Sequence, residues 1–316
     1  MNKKVLIVGA SKMAQDYIKV LKDLKVEFTI IGRGAENAKE CEKITNHKVI
    51  TGGIEKFLNN NQHTFSHAIV AVGIENLYKT SKLLLDENIK NILIEKPGAL
   101  FNREFNELVN LSNKKKSNVY IAYNRRFLAS VIKAREVIKK DSGVTSFNFE
   151  FTEWAHEIEP LKKAQEIKEK WFLSNSTHVV DLAFNLGGLP KEIVSYTSGS
   201  LNWHPSASVF CGAGVSDKSA LFNYAANWES AGRWSIEVLT KNHKLVLRPM
   251  EKLQIQKRGS VALNFVEDID YSLDEKYKPG LFLQTNNFIS GDFSNLCSIQ
   301  DQRSMITTYN KMANYK

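Results

Sequence analysis

The first 124 residues place the tightest limits on what this chain can fold into. Apolar, β-branched-rich runs recur at KVLIVG (4–9), EFTIIG (27–32), KVIT (48–51), HAIVAVG (67–73), NILIE (91–95) and NVYIAYN (118–124). Helix-period stretches such as AQDYIKVLKDL (14–24) and LYKTSKLLLDEN (77–88) lie between most of them. Continuous apolar runs alternating with helices predict a parallel sheet covered on both faces. Six such strands fit a doubly wound dinucleotide-binding fold.

Beyond residue 124 the texture changes. A helical stretch, LASVIKAREVIKK (128–140), precedes segments that alternate like half-buried strands: VTSFNFEFTEW (144–154), PKEIVSYTSGSL (190–201), ASVFCGAG (207–214), SALFNYAANW (219–228), RWSIEVLT (233–240) and HKLVLRP (243–249). With no helices between the later ones, they predict one large, mostly antiparallel open sheet. Two helical segments close the chain near 279–291 and 298–313. The expected organisation is an α/β Rossmann domain over 1–123 and an α+β substrate-binding and oligomerisation domain over 124–316. The C-terminal helix is a candidate to pack back on the first domain. No Gly/Ser linker separates the two, and a cleft between domains is a common ligand site.

A length of 316 residues suffices for two domains, and 43% hydrophobic with 24% charged residues is ordinary for a globular chain. Cys41, Cys211 and Cys297 are scattered and odd in number, which argues against a disulfide framework or a zinc motif. The apolar run VLIVG near the amino terminus is too short for a signal peptide, and no run reaches membrane-spanning length. A reduced, cytoplasmic protein without membrane attachment is expected. The net charge of +9 reads as a lysine-rich solvated surface whose field helps collect phosphate-bearing small molecules. The basic runs NKKK (113–116) and KEK (168–170) lack interleaved aromatics, so no nucleic-acid partner is expected.

The stretch VGASKMAQ (8–15) follows the first strand and opens a helix. It matches the dinucleotide fingerprint at Gly9 and Ala14, with Ser11 at the second glycine position and Lys12 and Met13 between. Ser11 either crowds the pyrophosphate or donates its hydroxyl to a phosphate oxygen. The helix start behind it suits an anion in either case. At the end of the second strand an NAD-preferring site carries an acidic residue for the ribose hydroxyl. This chain has Gly32 and then Arg33, a pairing suited to a 2′-phosphate, so NADP(H) is favoured. Glu36 is the residue that argues for NAD(H), which stays possible.

NILIE runs into EKPGAL (95–100), which places Glu95 and Lys96 where open α/β sheets hold their ligands, ahead of Pro97. Together with YNRRF (123–127) and STHVVDL (176–182), these residues resemble the glucose-fructose oxidoreductase and inositol dehydrogenase family, Gfo/Idh/MocA. The resemblance spans essentially the whole chain. It implies that Lys96 faces the nicotinamide, holds the substrate oxygen and helps move its proton, and that the Lys96–Pro97 bond is often cis. A partly desolvated lysine beside a cationic ring exchanges its proton nearer neutral pH. His178 matches the cleft histidine that shares this role.

The resemblance further implies that Arg126 lies near the nicotinamide end of the cofactor, with Asn124 beside it. Val72, Gly73, Asn76 and Glu95 complete the candidate cofactor residues. Candidate substrate residues are Lys96, Asn124, Trp154, Asn175, His178 and Asp181. Trp154 and Trp203 are equally suited to stacking on a sugar ring or to a place in the core. His178 and Asp181 lie three apart without further ligands, so no metal is expected. The chain departs from the inositol dehydrogenase pattern D-x-G-x-H, carrying Ser174 for the aspartate and Ser176 for the glycine. Gly73 and Tyr78 stand where the family often has threonine and histidine.

The expected function is an NADP(H)-dependent oxidoreductase that interconverts a hydroxyl and a ketone on a sugar or sugar nucleotide, in the direction of biosynthetic reduction. A catabolic NAD-dependent inositol or sugar dehydrogenase is the alternative, and a non-catalytic dinucleotide-sensing regulator is a third. Family members associate through the open face of the second sheet, which implies a homodimer or homotetramer.

Overall fold

The computed structural model describes residues 3–60 and 65–315. They form two compact units, Met1–Asn124 with Leu273–Ser304, and Arg125–Ser272 with Met305–Lys316. The chain opens β1 (Lys4–Val8), α1 (Lys12–Asp23), β2 (Glu27–Ile31), α2 (Ala35–Thr45), β3 (Val49–Ile50), α3 (Gly53–Asn60), β4 (His67–Val70), α4 (Ile74–Asp86), β5 (Asn91–Ile94), α5 (Asn102–Lys115) and β6 (Asn118–Ile121). There follow α6 (Ala129–Lys140), β7 (Ser146–Glu150), α7 (Ala155–Ile158), α8 (Gln165–Glu169) and α9 (Thr177–Gly187). Next come β8 (Pro190–Ser198), β9 (Val209–Ser216), β10 (Leu221–Asn227), β11 (Ser235–Leu239), β12 (His243–Leu247), β13 (Gln254–Lys257) and β14 (Leu263–Phe265). The chain ends with α10 (Ser272–Lys276), α11 (Leu281–Ser290), β15 (Cys297–Ser298) and α12 (Ile299–Ala313).

In the first unit seven strands run in the order β15-β6-β5-β4-β1-β2-β3. All pairs are parallel except β15 on β6, where Cys297 faces Ile121. This is a Rossmann sheet with one added antiparallel edge. The interior strands are buried throughout at Val5–Val8, His67–Val70 and Ile92–Ile94, because helices cover both faces. All six strands end sooner than their apolar runs suggest, β4 and β6 by three residues and the others by one. The residues beyond Val8, Val70 and Ile121 turn away at the carboxyl edge, and Gly73 already caps α4. The two-residue strand β15 gave no readable period.

In the second unit eight strands run β14-β13-β12-β11-β7-β10-β9-β8. The pairs are antiparallel except β7 with β10. One face buries Phe147, Phe149, Phe222, Tyr224, Ile236 and Val238. Helix α9 covers it through Phe184, whose ring meets Phe149 and Phe222 at 5.5 and 5.2 Å. The opposite face is open: Val194, Cys211 and Leu221 are exposed there, and Tyr196 is 67% exposed. The expected strand over 144–154 stops its ladder at Glu150, and Phe151, Thr152 and Glu153 beyond it are all buried. The short polar strands β13 and β14 (QIQK and LNF) have no periodicity that the sequence betrays. Among the described residues no helix is long and apolar enough to cross a membrane.

Candidate functional site

The loops after β1, β2, β3 and β4 enclose a groove of about 420 Å³ at the carboxyl edge of the first sheet. Its floor depends on Gly9, which sits at φ +129 with a Cβ position 2.2 Å from the Ala71 carbonyl oxygen. No side chain fits there, so the loops after β1 and β4 approach backbone to backbone. Ser11 Oγ donates to that same carbonyl at 3.2 Å. The hydroxyl thus braces two loops, the use the sequence did not suggest. Ser11 also precedes α1 without a side-chain cap, which leaves the first helical N–H groups for an anion. Lys12 is exposed, Met13 lies with its sulfur 3.1 Å from Lys278 Nζ, and Ala14 is buried where the helix packs on the sheet. The residues present therefore fit a dinucleotide: a cradle a Cβ would fill, and open amides at a helix start.

Gly32 and Arg33 line the same groove, as do Val72, Gly73 and Asn76. Arg33 is exposed, and its guanidinium meets no acceptor among the described residues. Glu36 is exposed on the first turn of α2 and is not among the lining residues, whereas Glu55 is. The carboxylates that line the groove are thus Glu55 of α3, beyond the Gly52–Gly53 turn, and Glu75 of α4. Asn76 Nδ2 donates to Glu75 Oε1 at 2.9 Å.

At the end of β5 the Lys96–Pro97 bond is cis. Tyr17 OH donates to Glu95 Oε1 at 2.7 Å. Burial pushes the Glu95 carboxyl above its ordinary range, while the Tyr17 hydroxyl and the Lys96 charge pull it back. Burial, then the neighbouring Glu95 charge, raises the Tyr17 hydroxyl well above its usual value. Gln302 Nε2 donates to the Pro97 carbonyl at 3.1 Å, and Asn124 Nδ2 donates to the Pro279 carbonyl at 2.8 Å. Gln302 thus holds the backbone directly after Lys96, while the Asn124 amide is engaged by the returning segment at Pro279.

In the second unit a π-helical stretch, Phe172–Ser176, leads into α9, whose first turn carries His178. The His178 ring lies 6.1 Å from that of Trp234. Ser174, the residue in the aspartate position, donates to the Ile167 carbonyl at 3.3 Å. A carboxylate nevertheless serves this segment. Glu153, only 1% exposed, accepts from Asn175 Nδ2 at 2.9 and 3.1 Å and from Ser176 Oγ at 2.8 Å. Arg126 and Asp181 are buried against each other as a two-point ion pair, Nε to Oδ2 at 2.7 Å and Nη2 to Oδ1 at 2.6 Å. Trp154 is exposed and donates its indole N–H to the Gly232 carbonyl at 2.8 Å, while Trp203 is buried and stacks on Trp228 at 5.9 Å. Of the two tryptophans, Trp154 is the exposed one.

Residues 3–123 match the model of the oxidoreductase family with an NAD-binding Rossmann fold, GFO_IDH_MocA. No curated protein matches the chain by sequence. Solved structures share its fold over its full length. Levoglucosan dehydrogenase in complex with NADH is 14% identical, with 100% of this chain and 97% of that chain covered at a TM-score of 0.81. UDP-N-acetylglucosamine 3-dehydrogenase GnnA from Acidithiobacillus ferrooxidans is 12% identical, with 100% and 98% covered at 0.77. The WlbA dehydrogenase from Chromobacterium violaceum, in complex with NADH and UDP-GlcNAcA, is 15% identical, with 100% and 94% covered at 0.74. At these identities the likeness is one of fold. The family match falls on the unit whose groove has the dinucleotide cradle, so residues 3–123 are similar to the NAD-binding Rossmann domain of the Gfo/Idh/MocA oxidoreductases.

Proposed function

We propose that this protein is an NAD(P)-dependent oxidoreductase that interconverts a hydroxyl and a ketone on a sugar or sugar nucleotide, working with NADPH as a biosynthetic reductase. The observation that carries the reading is the groove of the first unit, with its Gly9 turn, its uncapped α1 start and Arg33 on its wall. Gly32 leaves no acid at the end of β2, and an exposed guanidinium next to it suits a 2′-phosphate. The sugar substrate class is supported by GnnA, WlbA and levoglucosan dehydrogenase, which share the fold. The nicotinamide, when bound, supplies or accepts the hydride. In this reading Lys96 exchanges the proton at the substrate oxygen and His178 holds that oxygen by a hydrogen bond. Asn175 and Trp154 belong to the sugar contacts. A second copy of the chain covers the open face of the second sheet around Tyr196 and Leu221; a monomeric mass by light scattering at micromolar concentration contradicts this.

NAD(H) is the alternative cofactor, and Glu55 on the groove wall is the observation that favours it. The test is a turnover screen of sugars and sugar nucleotides with NADPH and NADH, combined with direct titration of both cofactors. Oxidation of NADPH by a keto sugar nucleotide is expected. Cofactor binding without turnover across the screen points instead to a dinucleotide sensor, and failure to bind either cofactor sinks the oxidoreductase reading.

A further inference from the structure

Beside His178 the second unit holds a guanidinium built for a ligand. Arg233 meets two indoles, its Cζ 4.7 Å from the Trp154 ring centroid and 4.8 Å from that of Trp234. Two cation–π contacts restrict the fork and leave N–H groups for hydrogen bonds. Those groups are nearly unused. Among the described residues their acceptor is Glu153 Oε2 at 3.4 Å, a long contact to a carboxylate that Asn175 and Ser176 already engage. The side chain is still 45% exposed, so it stays reachable by a ligand.

A second guanidinium against one of these rings shows the difference. Arg125 lies 4.9 Å from the Trp234 centroid on its own account, but its Nη1 pairs with Glu251 at 2.8 Å. Arg125 is matched by a carboxylate at ordinary distance, and Arg233 is not. The backbone under Arg233 is also held in place. The Trp154 indole N–H donates to the Gly232 carbonyl, and Gly232 sits at φ +149 with a Cβ position 2.2 Å from Glu150 Oε1. A larger residue is strained there. A preorganised fork with open donors loses little freedom when it binds, which is how a site gains affinity.

We propose that Arg233, held against Trp154 and Trp234 next to His178, selects a substrate that carries an oxyanion, either a sugar carboxylate or the diphosphate of a sugar nucleotide. This inference rests on the oxidoreductase reading above and names the substrate class of that same site. A planar fork accepts either group through two parallel N–H bonds. Arg233 is here a specificity residue with no part in proton transfer.

The test is titration of the cofactor-saturated protein with UDP-glucuronate, UDP-glucose, free glucuronate and glucose. The wild type is expected to bind UDP-glucuronate, which carries both oxyanions, at least tenfold more tightly than glucose. Arg233→Ala removes that advantage, and Arg233→Lys, which keeps the charge but not the fork, recovers only part of it. Weakening confined to the two glucuronates identifies the carboxylate as the contact. Equal weakening of both UDP-sugars, with free glucuronate unbound, identifies the diphosphate. Wild-type affinity for the anionic probes no higher than for glucose overturns the proposal, as does an Arg233→Ala protein with unchanged affinities. NADPH and NADH titrations of the same variants separate the two claims, since a failed anion site leaves cofactor binding intact, while a failed oxidoreductase reading shows as no cofactor binding in the wild type.

Discussion

The two units hold their functional candidates in opposite ways. The groove of the first is made of backbone: Gly9, Gly32, Gly53 and Gly73 line it, and Arg33 stands at its wall unpaired among the described residues. The second unit builds with side chains that answer one another: Arg126 with Asp181, Arg125 with Glu251, and Glu153 with Asn175 and Ser176. A backbone cradle recognises a phosphate that every dinucleotide carries, so it needs few specific side chains. A side-chain cluster is where substrate choice is written, because each buried charge must find a partner or wait for a ligand to provide one.

The sharpest way to break this contrast is at the border of chemistry and binding. Lys96→Ala is expected to lower kcat by about 10²–10⁴-fold, the range for losing a general acid or base, while NADPH still binds. His178→Ala is expected to cost less and to act partly through KM. A His178→Ala enzyme without activity, beside an Lys96→Ala enzyme with near-normal kcat, reverses the two roles.

Next in size is the buried pair. Asp181→Ala strands the Arg126 guanidinium in the interior, and we expect about 3–5 kcal/mol of lost stability by denaturant unfolding. A loss under about 1 kcal/mol means the pair is wet, and the contrast between the units weakens.

Acid sensitivity comes third. His204 is fully buried as the neutral ring, with Nδ1 2.7 Å from the Ala207 carbonyl and Nε2 2.8 Å from Tyr315 OH, and burial holds its pKa down to about 4. The unfolded ring titrates near 6.5, so between these values the unfolded state binds the extra proton. Stability is therefore full above pH ~6.5, falls as pH drops toward ~4, and levels below, by about 3 kcal/mol at most for this residue. His67 in the first unit is lowered to about 4 by burial as well and adds in the same direction. Thermal melting across this window in wild type and in His204→Gln checks it; an unaltered slope in the variant removes His204 from the account.

The smallest effect concerns cofactor choice. Arg33→Ala is expected to weaken NADPH by about 1–3 kcal/mol and to leave NADH nearly unchanged. Equal titration curves for the two cofactors in the wild type end the NADP preference and turn attention to Glu55.

The sequence by itself determined the Rossmann sheet, the cradle at Gly9 and the placement of Lys96 at the carboxyl end of β5. Each of these is a local matter: continuous apolar runs demand two covered faces, and a glycine marks where chains approach closely. It also carried one signal that went unused. Phe147, Phe149, Phe151 and Glu153 fall on alternate positions, a pattern that carries a carboxylate along the inward run of aromatics, where it needs a reason. Only the tertiary structure decided the rest. It tied Asp181 to Arg126, gave the Ser11 hydroxyl to the Ala71 carbonyl, put Glu55 and Glu75 rather than Glu36 on the groove wall, and set Arg233 against both Trp154 and Trp234. Those pairings join residues up to 80 positions apart, as with Glu153 and Arg233. Neither periodicity nor spacing encodes which distant partner neutralises a charge; that follows from which strands and helices the packed core brings side by side.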